Sequence, residues 1–362
     1  MLRYVICRLL QSIPIFFGIT ILSYLLMSLT PGGPLGALAF GNPKLKPEQQ
    51  QKLAIRLGIK DPVPVQYLRW LIGDDWMRRD TDGDGIADTS LLIPLDADGD
   101  GEAEMPGERR GILRGDFGFS FFNNRKVIDV LMEKLPATLE LNIASLIVGM
   151  TVGVMIGVMA AVRKGGWFDN STRVLAVVFN AIPTFWLGLL LLVMFAIWLK
   201  DTPLEPPLGG RCKVTLDDSC PPLFQHISYM ILPVFVLSTG LIAGYSRYMR
   251  ASMLDIISQD YIRTARAKGL GFHRVWFLHA LRNALIPIAT FLGPTITGLL
   301  GGSGIIEKVF NYAGVGLVTI AAFTQRDYPV VMAVTIYAAI ATILGYLLSD
   351  ILYAWIDPRI RY

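Results

Sequence analysis

Thr138-Leu-Glu-Leu-Asn-Ile-Ala-Ser-Leu-Ile-Val-Gly-Met-Thr-Val-Gly-Val-Met-Ile-Gly-Val-Met-Ala-Ala-Val162 carries one charge, Glu140, at its rim. A bilayer core needs about 20 apolar residues per helix, and this stretch supplies them. Leu9–Leu29, Val174–Leu199, Ile227–Tyr245, Ala284–Gly304 and Pro329–Leu348 meet the same requirement. Of the 362 residues, 53% are hydrophobic and 17% are charged, against roughly 25% charged in a soluble domain. No soluble chain of this size hides so much apolar surface, and disordered or collagen-like classes are excluded by the same figures. The net charge of +4 is too small to suggest nucleic acid as a partner. The sequence therefore predicts an all-α, polytopic membrane protein with six transmembrane helices.

The first stretch follows Arg3 and Arg8, and Ala37-Leu38-Ala39 loosely fits a cleavage site. Its apolar run is longer than the roughly 7–15 residues of a signal-peptide core, and it reads as an uncleaved span. Placing both termini in the cytoplasm gives inner segments with 14 basic and 5 acidic residues. The outer segments then hold the remaining 19 basic residues and 23 acids, with Glu140 at the rim. Short basic loops inside are what the positive-inside rule requires. The domain plan is residues 1–30 as the inner end and first span, 31–137 as a long outer segment, and 138–362 as a core with five spans. A shorter outer segment at 200–226 holds Cys212 and Cys220, which either form a disulfide or remain free thiols. Cys7, at the inner edge of the first span, reads as a small apolar side chain.

Several chemistries are missing. No Lys is preceded by Gly, so a phosphate-binding G-x-x-x-x-G-K-[ST] loop is absent and this chain does not bind ATP that way. His226, His273 and His279 have no metal-ligand spacing, and nothing supports an enzyme. The span interiors are nearly free of charge, which disfavours an ion-coupled carrier. If solute crosses, another polypeptide supplies the energy.

The segment between the fourth and fifth spans carries the functional signal: Asp260-Tyr-Ile-Arg-Thr-Ala-Arg-Ala-Lys-Gly-Leu-Gly-Phe-His-Arg-Val-Trp-Phe-Leu-His-Ala-Leu-Arg-Asn-Ala-Leu-Ile-Pro287. Asp260 is expected to cap a helix over Tyr261–Lys268, and Gly269 and Gly271 to end it. A second helical stretch from Phe272 feeds the fifth span. Such a short amphipathic helix suits docking in a partner's groove. A basic loop held at anionic headgroups is the competing reading.

Tyr261-Ile-Arg-Thr-Ala-Arg-Ala-Lys-Gly-Leu and His279-Ala-Leu-Arg-Asn-Ala-Leu-Ile-Pro287 resemble the cytoplasmic loop of inner-membrane permeases of the dipeptide/oligopeptide ABC importer family. Collinear matches occur at Leu29-Thr-Pro-Gly-Gly-Pro34, Pro64-Val-Gln-Tyr-Leu-Arg-Trp70, Gly115-Asp-Phe-Gly-Phe-Ser120, Leu135-Pro-Ala-Thr-Leu-Glu140, Ile182-Pro-Thr-Phe-Trp-Leu-Gly188 and Asp350-Ile-Leu-Tyr-Ala-Trp-Ile-Asp-Pro-Arg359. The resemblance covers nearly everything except residues 74–111. It implies a type I ABC importer permease fold in a bacterial or archaeal inner membrane. It also implies a non-catalytic subunit moving di- or oligopeptides by alternating access. The implied partners are a second, homologous permease subunit, two ATPase subunits and an extracytoplasmic substrate-binding protein. Nickel or another small solute is the alternative cargo. Within the coupling loop (about residues 247–283), Tyr261, Arg263, Thr264, Ala265, Arg266, Ala267, Lys268 and Gly269 match the coupling helix that sits in a cleft of the ATPase. The broad family pattern begins Glu-Ala-Ala, whereas Arg263-Thr264-Ala265 stands here. That removes an acidic contact and implies a charge-reversed pairing.

Asn142, Asn180, Thr184, Thr295 and Thr297 are substrate-path candidates by polarity alone, each weighed against helix packing. The glycine-rich run from Gly293 to Gly304 is expected to allow close helix contact between permease subunits. In the outer insert, Asp80, Asp82, Asp84 and Asp88, then Asp96, Asp98, Asp100 and Glu104, have the 1, 3, 5, 9 spacing of an EF-hand-type loop. Gly85 and Gly101 permit the sharp turn, but Leu91 and Gly107 replace the bidentate Glu. Weak extracellular Ca2+ binding is the expectation, against a solvated acidic loop. A non-transporting, calcium-responsive membrane scaffold would account for this insert but not for the inner loop.

Overall fold

The computed structural model describes residues 2–30, 62–74, 78–79, 89–90, 110–200, 202, 206–212 and 223–356. In chain order the helices are α1 (Leu2–Ser28), α2 (Val63–Ile72), α3 (Val127–Val162), α4 (Trp167–Ala181), α5 (Thr184–Trp198) and α6 (Leu223–Ile257). There follow α7 (Asp260–Ala267), a π-helical segment (Arg274–Ala280), α8 (Leu281–Ala284), α9 (Ile286–Val309), α10 (Val315–Gln325) and α11 (Tyr328–Ile356). Two short strands, β1 (Arg78–Arg79) and β2 (Thr89–Ser90), pair antiparallel with Arg78 opposite Ser90.

Among the described residues four helices are long and apolar enough to cross a membrane: Ile6–Ser28, Val127–Val162, His226–Ile257 and Tyr328–Ile351. Two bent pairs bring the number to six if each is one span: α4 with α5, bent by 97°, and Arg274–Ala284 with Ile286–Ile296, bent by 41°. The expected span Val174–Leu199 is therefore two helices. Ile182 and Pro183 break it with extended backbone (ψ 123° and 128°). Pro183 has no N–H to continue the ladder and pushes the residue before it out of the helical region. Long-window hydropathy passes over such a break because both halves are apolar.

The chain divides into two compact units. One comprises Ile13–Glu133 and Val318–Ala339. Here α2 lies on the second half of α1. Thr20 Oγ1 and Tyr67 OH are 3.0 Å apart, and the rings of Tyr24, Tyr67 and Trp70 meet at 5.5–5.9 Å between centroids. Asp327 holds the chain before α3: its Oδ1 accepts from the Phe121 amide at 3.0 Å, and its Oδ2 from the Ser120 hydroxyl.

The other unit comprises Met1–Ser12, Lys134–Leu317 and Ile340–Tyr362. Gly149, Gly153 and Gly157 recur every fourth residue of α3 and form one stripe against α6. A Cβ at these positions would lie 2.5 Å from Leu241 Cβ, 2.8 Å from Tyr245 Cβ and 2.6 Å from Met249 Cβ, respectively. The glycine-rich part of α9 also packs within this chain. A Cβ at Gly293 would meet Ser349 at 2.8 Å, and one at Gly304 would meet Gly316 Cα at 3.2 Å. At these two positions the close contacts described are within the chain.

Two acids at the span ends are engaged inside the chain. Glu307 lies in the last turn of α9 and is completely buried. Its carboxylate accepts from Thr138 Oγ1 (2.9 Å), Ser303 Oγ (3.2 Å) and the Leu317 amide (2.8 Å). Thr138 Oγ1 in turn accepts from the Val315 amide at 2.8 Å. One acid thus pins the start of α10 to α3 and α9. Glu140 accepts a bidentate pair from Arg211 (3.1 and 2.6 Å), with His226 Nε2 at 3.4 Å and Tyr312 OH at 3.5 Å. Burial opposes the Arg211 charge, but its hydrogen-bonded Glu140 carboxylate outweighs that and raises the guanidinium pKa. Burial, reinforced by the Glu140 charge, likewise pushes the Tyr312 phenol up.

Candidate functional site

Helix α7 has its first turn after Gln259, whose backbone is extended (ψ 147°) and which makes no side-chain cap. Asp260 is therefore not the cap that its type suggests. It occupies the first turn, where a negative charge favours the helix dipole, and lies 3.5 Å from Arg263. Both are largely solvated, so this pair adds little. The other end is a Schellman closure. Gly269 has φ +74°, its N–H reaches Arg266 O at 2.9 Å, and the Leu270 amide reaches back to Ala265 O at 3.3 Å. Positive φ is the reason Gly stands at 269.

Two residues seat the helix. Ile262 is fully buried and Ala265 nearly so, one turn apart, in a cluster with Val158, Met249, Met253, Val275 and Trp276. The Arg266 guanidinium lies over the Trp276 ring at 4.9 Å, worth about 0.5–1 kcal/mol at an exposed site. Tyr261 OH accepts from Asn283 Nδ2 at 2.8 Å. Tyr261, Arg263, Thr264, Arg266, Ala267, Lys268 and Gly269 are exposed, and Ala265 alone of the expected coupling residues points inward. What results is an outward face with three cations on a helix anchored from below. The π-helical turn starts five residues after Gly269, and its wider winding leads through α8 into α9.

A second anchor ties this region together. Asp169, in the first turn of α4 and almost fully buried, accepts both guanidinium arms of Arg250 on α6, one of them at 2.7 Å, and the Gly165 amide at 2.9 Å. The sequence showed Asp169 only as one acid among inner cations, because nothing local announces a partner 81 residues away.

The path candidates separate clearly. Asn142 is buried and donates to Ser303 Oγ at 3.4 Å. Thr295 Oγ1 donates to Phe291 O (2.7 Å) and accepts from Tyr245 OH (3.0 Å). Asn180 and Thr184 are exposed on either side of the α4–α5 break. The Thr297 side chain lies outside the described residues, as do all of Asp80, Asp82, Asp84, Asp88, Asp96, Asp98, Asp100 and Glu104. Cys212 is disulfide-bonded and Cys7 is free, while Cys220 lies outside the described residues.

Residues 153–362 match the model of the binding-protein-dependent transport system inner membrane component, and residues 1–89 match its N-terminal companion. The chain belongs to this family of transporter permeases. It is 36% identical over 363 residues to the oligopeptide transport system permease protein AppB of Bacillus subtilis, covering all of both chains. It is 33% identical over 378 residues to the dipeptide transport system permease protein DppB of Escherichia coli K12, covering 100% of this chain and 99% of that one. Among solved structures, the inward-facing MetNI methionine ABC transporter aligns with 64% of this chain and 97% of its own, at a TM-score of 0.50 and 18% identity. That likeness concerns the fold alone, and it agrees with the type I permease architecture expected from sequence.

Proposed function

We propose that this chain is one membrane-spanning subunit of an ATP-driven importer of di- or oligopeptides, and that α7 receives the power stroke from a separate ATPase subunit. The single observation that supports this best is the construction of α7: two buried anchors below and a basic, solvated face above. A second permease subunit, two ATPase subunits and an extracytoplasmic binding protein complete the assembly in the cytoplasmic membrane, with both termini inside. ATP-driven closure of the ATPase pair would move α7, and its seat on Met249 and Val275 passes that motion to α6 and, through the π turn, to α9. Rigid packed elements with two arrangements transmit such motion between sites. The permease relatives named for oligopeptides and dipeptides support peptide as cargo.

Reversing the solvated cations, with Arg263→Glu and Lys268→Glu together, tests this without touching the seat. Capture of the ATPase subunits from solubilised membranes is expected to weaken by about tenfold, or 1.4 kcal/mol. Wild-type capture should itself decline with added salt as the surface charges are screened. Undiminished capture by the double variant would remove α7 from the contact.

We also propose that the acidic insert holds Ca2+ in the extracytoplasmic space. The pairing of β1 with β2 sets positions 79 and 89 side by side, which supports closure of a loop there. Calorimetric titration of the full chain in detergent is expected to give saturable binding at about 0.1–1 mM. Asp82→Ala with Asp98→Ala should abolish it, and a wild-type titration without saturation would dismiss the site.

A further inference from the structure

We propose that the break between α4 and α5 is where the transported solute touches this chain, with the Asn180 and Thr184 side chains bonding to peptide backbone amides. This rests on the importer reading given above. The two residues flank a 97° bend at Ile182 and Pro183, and both are exposed. Among the described residues neither side chain has a hydrogen-bond partner. Their setting is otherwise apolar: Val177, Val178, Phe185 and Trp186 are exposed at 45–60%.

An unpaired amide facing hydrocarbon costs several kcal/mol. Non-helical backbone at membrane depth persists only where protein buries it or where it lines a water-filled cavity. Here Ile182 packs against the chain's own core while Pro183 and the polar residues Asn180 and Thr184 stay open, so the chain buries the break only in part. Leu187 and Leu191, about one and two turns beyond Thr184 on the same face of α5, pack with Leu232, Val236, Ile306 and Phe310. Asn142 and Thr295 are spent on internal bonds, which leaves Asn180 and Thr184 as the free polar pair among the described candidates.

The chemistry selects the ligand class. A carboxamide offers two donors and an acceptor, and a hydroxyl offers one donor and an acceptor. Together they match an amide group and have no charge preference. The charged residues of α4 are Asp169 and Arg173, about two turns or more before Asn180, and α5 has none. Phe185 and Trp186 add flat apolar surface that accepts varied side chains. A site of this kind reads peptide bonds and ignores sequence.

The test places a cysteine at the break. Asn180→Cys is made in a Cys7→Ser background, since Cys7 is a free thiol, and the complete assembly is studied in membrane vesicles. The probe is a membrane-impermeant cationic methanethiosulfonate, and the peptide is trialanine. The introduced thiol is expected to react, to abolish trialanine uptake once modified, and to be protected about tenfold by peptide at about ten times its Kd. Thr184→Cys serves if Asn180→Cys does not accumulate. If unmodified vesicles import trialanine while neither cysteine reacts or is protected, the break is covered by lipid or by the second subunit. The inference then fails and the importer reading stands. If wild-type vesicles import no peptide, the importer reading fails first, and the inference with it.

Discussion

Glu307→Leu is expected to leave no monodisperse protein in a detergent extract, whereas Glu307→Gln leaves a folded chain that melts earlier. The carboxylate is completely buried and its neighbours are donors: the Thr138 and Ser303 hydroxyls and the Leu317 amide. Leucine strands all three. At about 1–3 kcal/mol for each unsatisfied buried donor, the loss rivals the roughly 5–15 kcal/mol that keeps a typical protein folded. Leucine also branches where space is fixed, because Gly314 and Gly316 press on Glu307. A Cβ at Gly314 would lie 2.6 Å from its Cδ, and one at Gly316 would lie 2.9 Å from its Oε2. Glutamine keeps the volume and one acceptor oxygen but turns an N–H toward a donor, so about one interaction is lost. The expected fall is several degrees, at about 2–4 °C per kcal/mol for domains of 150–250 residues. Size-exclusion profile and Tm of the purified variants decide it. A leucine variant with wild-type yield and Tm would mean that the buried acid does not hold the α3–α9–α10 junction together.

How much of this was legible beforehand depends on the range of the interaction. The apolar windows overlap the four long helices and both bent pairs, since hydropathy is a local sum. The C-terminal end of α7 was legible too, because Gly269 announces a left-handed closure, whereas Ala265, expected among the coupling residues, turns out to be buried within the chain. The residue type at 260 misled, because an acid before a helix is equally at home as cap or in the first turn, and backbone geometry decides between them. The 97° break was written in Ile182-Pro183, yet both flanking helices are apolar and a hydropathy average joins them. Glu307 and Asp169 were the hardest to read. Their meaning lies in donors 169 and 81 residues away, Thr138 and Arg250, and no periodicity encodes such pairings. The same holds for Asn180 and Thr184. As letters they ranked with Asn142 and Thr295, and only the internal hydrogen bonds of the latter two separate them.

Gly157→Ala is expected to damage coupling as well as stability, and Gly244→Ala in the facing helix is expected to do neither. A methyl at 157 would sit 2.6 Å from Met249 Cβ and 2.6 Å from the Ser246 carbonyl oxygen. Neither is the mobile end of a side chain, so α3 and α6 must part. Overpacking of this kind costs about 1–3 kcal/mol. The functional consequence follows from Met249, which is fully buried in the cluster that seats Ile262 and Ala265. Displacing α6 there tilts the support of α7, so capture of the ATPase subunits should weaken although residues 260–269 are untouched. At Gly244 nothing lies within 4 Å of an added Cβ. Alanine there gains about 0.5–1 kcal/mol over glycine in a helix, and Tm should hold or rise. Tm and ATPase capture are measured on both variants side by side. If Gly157→Ala loses Tm but keeps full capture, α7 is supported by Val275 and Trp276 alone, and the path from the inner helix to the spans runs through the π turn rather than through α6.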